Sequence, residues 1–147
     1  MSLEENCIFC RIAKGEIPCA KIYEDEKVLA FLDLAPFNYG HALVIPKEHA
    51  CSLTVIPPDT LAAMMQAAAK IAPAIQHAVD APAFNLLLNN GSVAGQEVPH
   101  THLHIIPRLV DDGVLLSAAK KKYEGEEMAA LAAKIAARLQ PAAEPCK

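Results

Sequence analysis

An α+β domain built on an antiparallel sheet is predicted by three observations on the sequence. Five short apolar segments read as strands, hairpins or loops rather than helices join most of them, and only two long stretches keep helical spacing. With 147 residues the chain can bury one proper core, and it is too short for two ordinary domains. Residues 1–147 therefore read as a single domain.

Cys7 to Lys14 reads as a short helix with Ile8, Phe9 and Ile12 on its apolar side, closed by Gly15. Lys21 to Tyr23 and Val28 to Asp33 are strands joined at the polar turn Glu24-Asp25-Glu26. Pro36, Asn38 and Gly40 interrupt the chain before a third strand, His41 to Ile45. Pro57-Pro58-Asp59 precedes a long helix, Thr60 to Val79, in which Leu61, Met64, Met65, Ala68, Ile71, Ile75 and Val79 recur at helical intervals. Pro73 inside it predicts a kink or a split. Phe84 to Leu88 reads as a buried strand ended by Asn89-Asn90-Gly91-Ser92, and Val98 to Leu109 as the next strand after a loop containing Gly95. From Glu126 to Leu139 helical spacing returns, with Pro141 stopping it, within a C-terminal extension of residues 123–140.

Hydrophobic residues make up 53% of the chain, but much of that is alanine, so the core of large side chains is modest. A net charge of −4 and the lack of a basic stripe argue against a nucleic-acid partner, which rewards clustered Lys and Arg. One phosphate needs only a few local donors, so small anionic ligands stay open. Met1 to Asn6 carries acid and no following apolar run, which predicts no signal peptide. The apolar stretch from Leu61 to Ile75 holds Gln66, Lys70 and Pro73, so no membrane span is expected and the protein reads as cytoplasmic. Five cysteines are an odd set for a disulfide framework there, and a close pair points to metal.

Three of the six histidines fall in His100-Thr101-His102-Leu103-His104. If this run lies on the expected strand, alternation puts the three imidazoles on one face and Thr101, Leu103 and Ile105 on the other. Val98, Leu103, Ile105 and Ile106 mark the strand as central, against a merely solvated edge. Imidazole suits proton transfer, attack on phosphorus and zinc binding near neutral pH. Spacing alone leaves two arrangements: the rings share one metal, or they divide the labour of nucleophile and helper.

The motif His100-Thr101-His102-Leu103-His104-Ile105-Ile106 resembles the signature of the histidine triad (HIT) family. Cys7-Ile8-Phe9-Cys10-Arg11-Ile12, Phe31-Leu32-Asp33-Leu34-Ala35-Pro36, Gly40-His41-Ala42-Leu43-Val44-Ile45-Pro46-Lys47-Glu48-His49, Asn89-Asn90-Gly91-Ser92 and Gly95-Gln96-Glu97-Val98 are similar to that family in order and spacing. The resemblance covers residues 6–110 and is nearest to the small bacterial, zinc-containing branch. It implies a HIT-like fold, an antiparallel five-stranded sheet with two main helices, continued across a two-fold homodimer. It also implies cleavage at the α-phosphorus of a nucleoside 5′-phosphoramidate or dinucleoside polyphosphate through a covalent nucleotidyl-histidine.

Residue by residue, the resemblance implies His102 as nucleophile and His104 as its catalytic neighbour. Asn89, Gln96 and the backbone N–H groups near Glu97 and Val98 would receive the phosphate. Asp33 would bind the ribose, and Ile8, Phe9, Ile12, Phe31 and Leu34 would form the purine cleft. A structural zinc would be held by Cys7, Cys10, His49 and His100, leaving His102 unmetallated. The pair Cys7-x-x-Cys10 also fits a redox dithiol, but no strand precedes it, or two unrelated buried cysteines. Cys19, Cys51 and Cys146 show no partner pattern, His77 reads as surface, and His41 as a structural hydrogen-bonding residue.

Two departures matter. Glu97 stands where many relatives place Ser or Thr, and its carboxylate would repel a phosphate, so only its backbone N–H counts there. The C-terminal segment lacks the tryptophan that animal relatives place over the partner's site. Two other functions compete: a metal-dependent hydrolase with all three triad histidines on one metal, and a nucleotide-binding regulatory module with incidental catalysis.

Overall fold

The computed structural model of the protein describes residues 3–116 and 118–139. Cys146 and Pro141 lie outside them. Two short helices, α1 (Leu3–Asn6) and α2 (Ile8–Ala13), lead into strands β1 (Lys21–Glu24), β2 (Val28–Leu32) and β3 (Ala42–Pro46). Then come α3 (Pro58–Val79), β4 (Ala83–Leu88), β5 (Leu103–Arg108) and α4 (Glu127–Ala136). The strands form one antiparallel sheet in the order β1-β2-β3-β5-β4, the α+β arrangement expected.

Strand alternation divides this sheet between two cores. Val28, Ala30, Ala42, Val44, Leu103 and Ile105 pack against Met64, Ala67, Ala68, Ile71, Ala72 and Ile75 of α3. The alanines on that stripe have no bulk to hold the helix off the sheet, which explains much of the composition. Leu29, Phe31, Leu43 and Ile45 face the other way, onto Cys7, Phe9 and Cys10 at α2. Gly40 marks a close approach, since a Cβ there would lie 3.0 Å from a Val79 methyl and its φ is +93°.

Three elements differ from their sequence reading. α3 runs unbroken through Pro73, which sits on the exposed face, where water can hydrate the carbonyl that loses its N–H partner. β4 is the sheet edge rather than a buried strand, with Phe84 and Leu86 each 39% exposed. β5 begins at Leu103, not Val98, because Pro99 has no N–H for a ladder, and the chain bends through residues 98–100. Boundaries elsewhere agree to within two residues, except that α4 ends at Ala136, three residues before the expected Leu139. The α4 helix exposes Met128, Leu131 and Ile135 and buries no side chain.

Met64, 1% exposed in the α3 core, gives a direct test of this packing. Met64→Ala is expected to cost about 2–5 kcal/mol in urea unfolding. Met65→Ala next to it, on the exposed face, should stay within about 0.5 kcal/mol.

Candidate functional site

Sheet register builds the floor of the main cavity. Phe31 pairs with Leu43, Leu43 with His104, and His104 with Leu87, a transverse row across four strands. All four line a cavity of about 440 Å³, within the range of small-molecule sites. Ile8, Phe9 and Ile12 of α2 form one wall, with Ile17 to Ala20 of the loop after it. Asp33, Leu34 and Ala35 line it from the β2–β3 loop, and Asn89, Gly95, Glu97 and Val98 from the β4–β5 loop. His102 and His104 meet in this cavity with ring centroids 4.9 Å apart.

The bend at Pro99 changes how the triad is presented. His100 and His102 precede β5, so their faces follow from local hydrogen bonds and not from strand alternation. The His100 N–H reaches back to Val98 O at 2.8 Å, and the Thr101 N–H donates to Ala50 O at 2.6 Å. His100 is consequently fully buried and turned toward α2, away from His104. All three imidazoles lie on the α2 side of the sheet, as expected, with Leu103 and Ile105 on the α3 side, but only His102 and His104 meet in the cavity.

Hydrogen-bond partners define where the imidazole protons sit. His102 Nδ1 lies 2.7 Å from His100 O, an acceptor only, so Nδ1–H donates and Nε2 keeps a free lone pair. The Phe37 N–H donates to His41 Nδ1 at 3.1 Å, which leaves the His41 proton on Nε2. That N–H points at His104 Nδ1, 2.8 Å away, so neutral His104 carries its own proton on Nε2. The two cavity imidazoles therefore have opposite tautomers: His102 offers a lone pair and His104 offers a donor. Burial pushes His104 down to about 4, with the neighbouring His102 and His41 adding to the effect. Burial also lowers His41, opposed by Asp33, whose carboxylate lies 3.6 Å from its Nε2.

Behind the cavity, Cys7, Cys10, His49 and His100 bring four donor atoms within 4.8 Å of one another. Cys7 Sγ and Cys10 Sγ lie 3.3 and 3.5 Å from His100 Nδ1, and Cys10 Sγ lies 3.3 Å from His49 Nδ1. A tetrahedral ion with ordinary Zn–S and Zn–N bonds needs a separation of about 3.6 Å. His100 Nε2–H is held by Pro46 O at 2.8 Å, which turns Nδ1 toward the thiols. These residues fit a Cys2His2 metal site. Without a cation the Cys10 thiol is pushed up to about 12, first by burial and then by Cys7.

The remaining expected residues fall as follows. Leu34 is fully exposed and can only form a rim, while Phe9 and Phe31 are buried against each other, ring centroids 5.8 Å apart. Asn89 donates to Gly95 O at 3.3 Å. The Gln96 side chain is turned onto loop backbone: it accepts from Gly91 N at 2.7 Å and donates to Cys51 O and Val98 O. It braces the β4–β5 loop instead of lining the cavity. Cys51, expected to lack a partner, is disulfide-bonded. The sequence reading missed Leu43, Leu87 and the His41–His104 contact; the first two become readable only once the register is known.

The chain matches the HIT domain family over residues 14–110. It is 44% identical over 122 residues to the adenylylsulfatase HINT3 of Arabidopsis thaliana, covering 83% of this chain and 62% of that relative's length. It is 40% identical to the adenosine 5′-monophosphoramidase hnt1 of Schizosaccharomyces pombe over 136 residues, 92% of this chain and 99% of that one. A HIT family protein from Bacillus subtilis has a similar structure, with TM-score 0.85 at 41% identity, covering 93% of this chain and 99% of that one. A Zn-bound histidine triad family protein from Mycobacterium smegmatis gives a TM-score of 0.72 at 39% identity, covering 92% of this chain and 99% of that one.

A pH dependence follows from His104. Its folded value is about 4 against an ordinary 6.5, so as pH falls the unfolded chain takes up this proton first. The contribution is fully present above 6.5 and is lost as pH drops toward about 4. Urea midpoints should fall over that window, and less steeply for His104→Asn. Parallel curves for the two proteins would contradict the assignment.

Proposed function

The chain belongs to the HIT domain family, and on that premise we propose that it is a nucleotide hydrolase acting at the α-phosphorus of a nucleoside 5′-phosphate derivative. One observation carries the reading: His102 holds its Nδ1–H on the His100 carbonyl, which frees Nε2 in a cavity of nucleotide size. The names of two relatives, a monophosphoramidase and an adenylylsulfatase, support a nucleoside phosphoryl substrate.

The purine stacks in the cleft of Ile8, Phe9, Ile12 and Phe31 with Leu34 at its rim, and Asp33 accepts from the ribose hydroxyls. His102 Nε2 attacks phosphorus, forming a P–N bond as the bond to the leaving group breaks. Backbone N–H groups near Glu97 and Val98, with Asn89, receive the charge on the phosphoryl oxygens. His104 Nε2–H hydrogen-bonds the leaving atom and steadies its charge until it takes up a proton. Water then attacks phosphorus, the P–Nε2 bond breaks, and the nucleoside monophosphate leaves with neutral His102 restored. One proton is taken up in the first half of the cycle by an amine leaving group, and one is released in the second. Both the phosphoramidate and the dinucleoside polyphosphate fit this scheme.

Zinc at Cys7, Cys10, His49 and His100 would bind α2 to the sheet and would supply a fixed structural charge. The residues that touch phosphate need no metal. The protein acts as a homodimer in the cytoplasm, with the β4 edge and its exposed Phe84 and Leu86 available for pairing.

His102→Asn should cut turnover of an adenosine phosphoramidate by ~10³-fold or more while fold and zinc content stay unchanged. Near-normal activity of this variant would sink the mechanism. Chelation should lower the thermal midpoint and release about one zinc per chain, with activity fading only as structure loosens. Immediate loss of activity in a chelated but still folded protein would favour a catalytic metal instead.

A further inference from the structure

The cavity that receives the phosphate is unusual in its charge. Among the described residues no lysine or arginine lines it, and the carboxylates that do are Asp33 and Glu97. The imidazoles add little positive charge, since burial holds His41 and His104 below their ordinary range. Sites built for polyphosphates set guanidinium or ammonium groups against the several negative charges that leave. Here the phosphate itself is met by neutral donors, and nothing cationic is placed to receive an anionic leaving group.

Asp33 is occupied, with one oxygen accepting from the Ala35 N–H and the other 3.6 Å from His41. The Glu97 carboxylate makes no hydrogen bond or ion pair among the described residues, yet it lines the cavity on the same loop as Asn89 and Val98. The loop is braced at the adjoining residue, because Gln96 ties it to Gly91, Cys51 and Val98. Glu97 thus brings an exposed, unpaired carboxylate to the rim of the cleft that His102 and His104 also line.

We propose that Glu97 is the residue that sets leaving-group preference, so that the site favours nucleoside 5′-phosphoramidates of cationic amines over substrates with anionic leaving groups. This inference rests on the hydrolase reading above and names its substrate class. A cationic tail on the amine is drawn to the Glu97 carboxylate, whereas a carboxylate, sulfate or polyphosphate is repelled. Because Glu97 is exposed, the discrimination is modest and weakens with salt.

The test uses three adenosine 5′-phosphoramidates whose amines carry a 2-aminoethyl, a 2-methoxyethyl or a 2-carboxyethyl tail. The kcat/KM ratio of cationic to anionic tail is measured for the wild-type protein, Glu97→Gln and Glu97→Lys. Intrinsic reactivity of each substrate is common to all three proteins and cancels between them. The wild-type ratio should exceed that of Glu97→Gln by about tenfold. Glu97→Lys should lower the ratio further, and added salt should shrink the wild-type ratio. Glu97→Gln should also raise kcat/KM for diadenosine tetraphosphate and adenosine 5′-phosphosulfate relative to the neutral-tail substrate. A ratio unchanged in both variants, or insensitive to salt in the wild-type protein, overturns the proposal. The salt series reads the same interaction if a variant fails to fold. Turnover of the neutral-tail substrate separates the two claims: its absence in the wild-type protein overturns the hydrolase reading and this one with it, while its presence with an unchanged ratio overturns this one alone.

Discussion

The hydrogen bond from His102 Nδ1 to the carbonyl of His100, 2.7 Å long, is the constraint on which the site depends. It does two things at once, fixing the ring's orientation and putting the lone pair on the nitrogen that faces the cavity. The acceptor is itself fixed, because the His100 ring is buried among Cys7, Cys10 and His49 with its other nitrogen on Pro46 O. Proline at position 99 makes the arrangement possible: by ending the ladder early it lets one side chain turn to the metal-fitting cluster and a second to the cleft. The metal-fitting cluster and the His102 ring are joined by one short backbone segment.

The sheet carries the same logic outward. α3, packed by its small residues, holds one face of β2, β3 and β5 in place. On the other face, register puts Phe31, Leu43, His104 and Leu87 in a row, so His104 sits on a floor that cannot slip by one residue without reversing every side chain. His41, next to Gly40 at the start of β3, extends the network by assigning the proton of His104. Opposite tautomers on two neighbouring imidazoles follow from main-chain groups at positions 37 and 100, which substitution of side chains does not remove.

Much of this was legible in the residues. Helical periodicity located α3 and α4, turn chemistry located the β1–β2 hairpin, and the ordered motifs pointed to the two clusters that the fold brings together. What was not legible had physical causes. Residues 98–109 read as a continuous strand where the chain bends at 98–100 and the ladder begins only at Leu103, although the imidazoles keep the common face that alternation predicts. Phe84 and Leu86 look buried as letters because nothing in apolar character distinguishes a core strand from a sheet edge. Gln96 reads as a polar ligand, whereas backbone groups at 51, 91 and 98, distant or local, take both of its N–H donors and one lone pair of its oxygen. The His104 tautomer depends on a contact with His41 across 63 residues of sequence, which no spacing rule encodes.

The account stands on His102 Nε2 as the atom that takes the nucleotide. Rapid-quench mass spectrometry during a single turnover of an adenosine phosphoramidate, with fragmentation of the peptide bearing residues 100–104, addresses it most directly. An adenylyl group on His102 that forms and decays at the rate of turnover is the predicted result. A modification on any other residue, or turnover with no covalent species at any quench time, would contradict it.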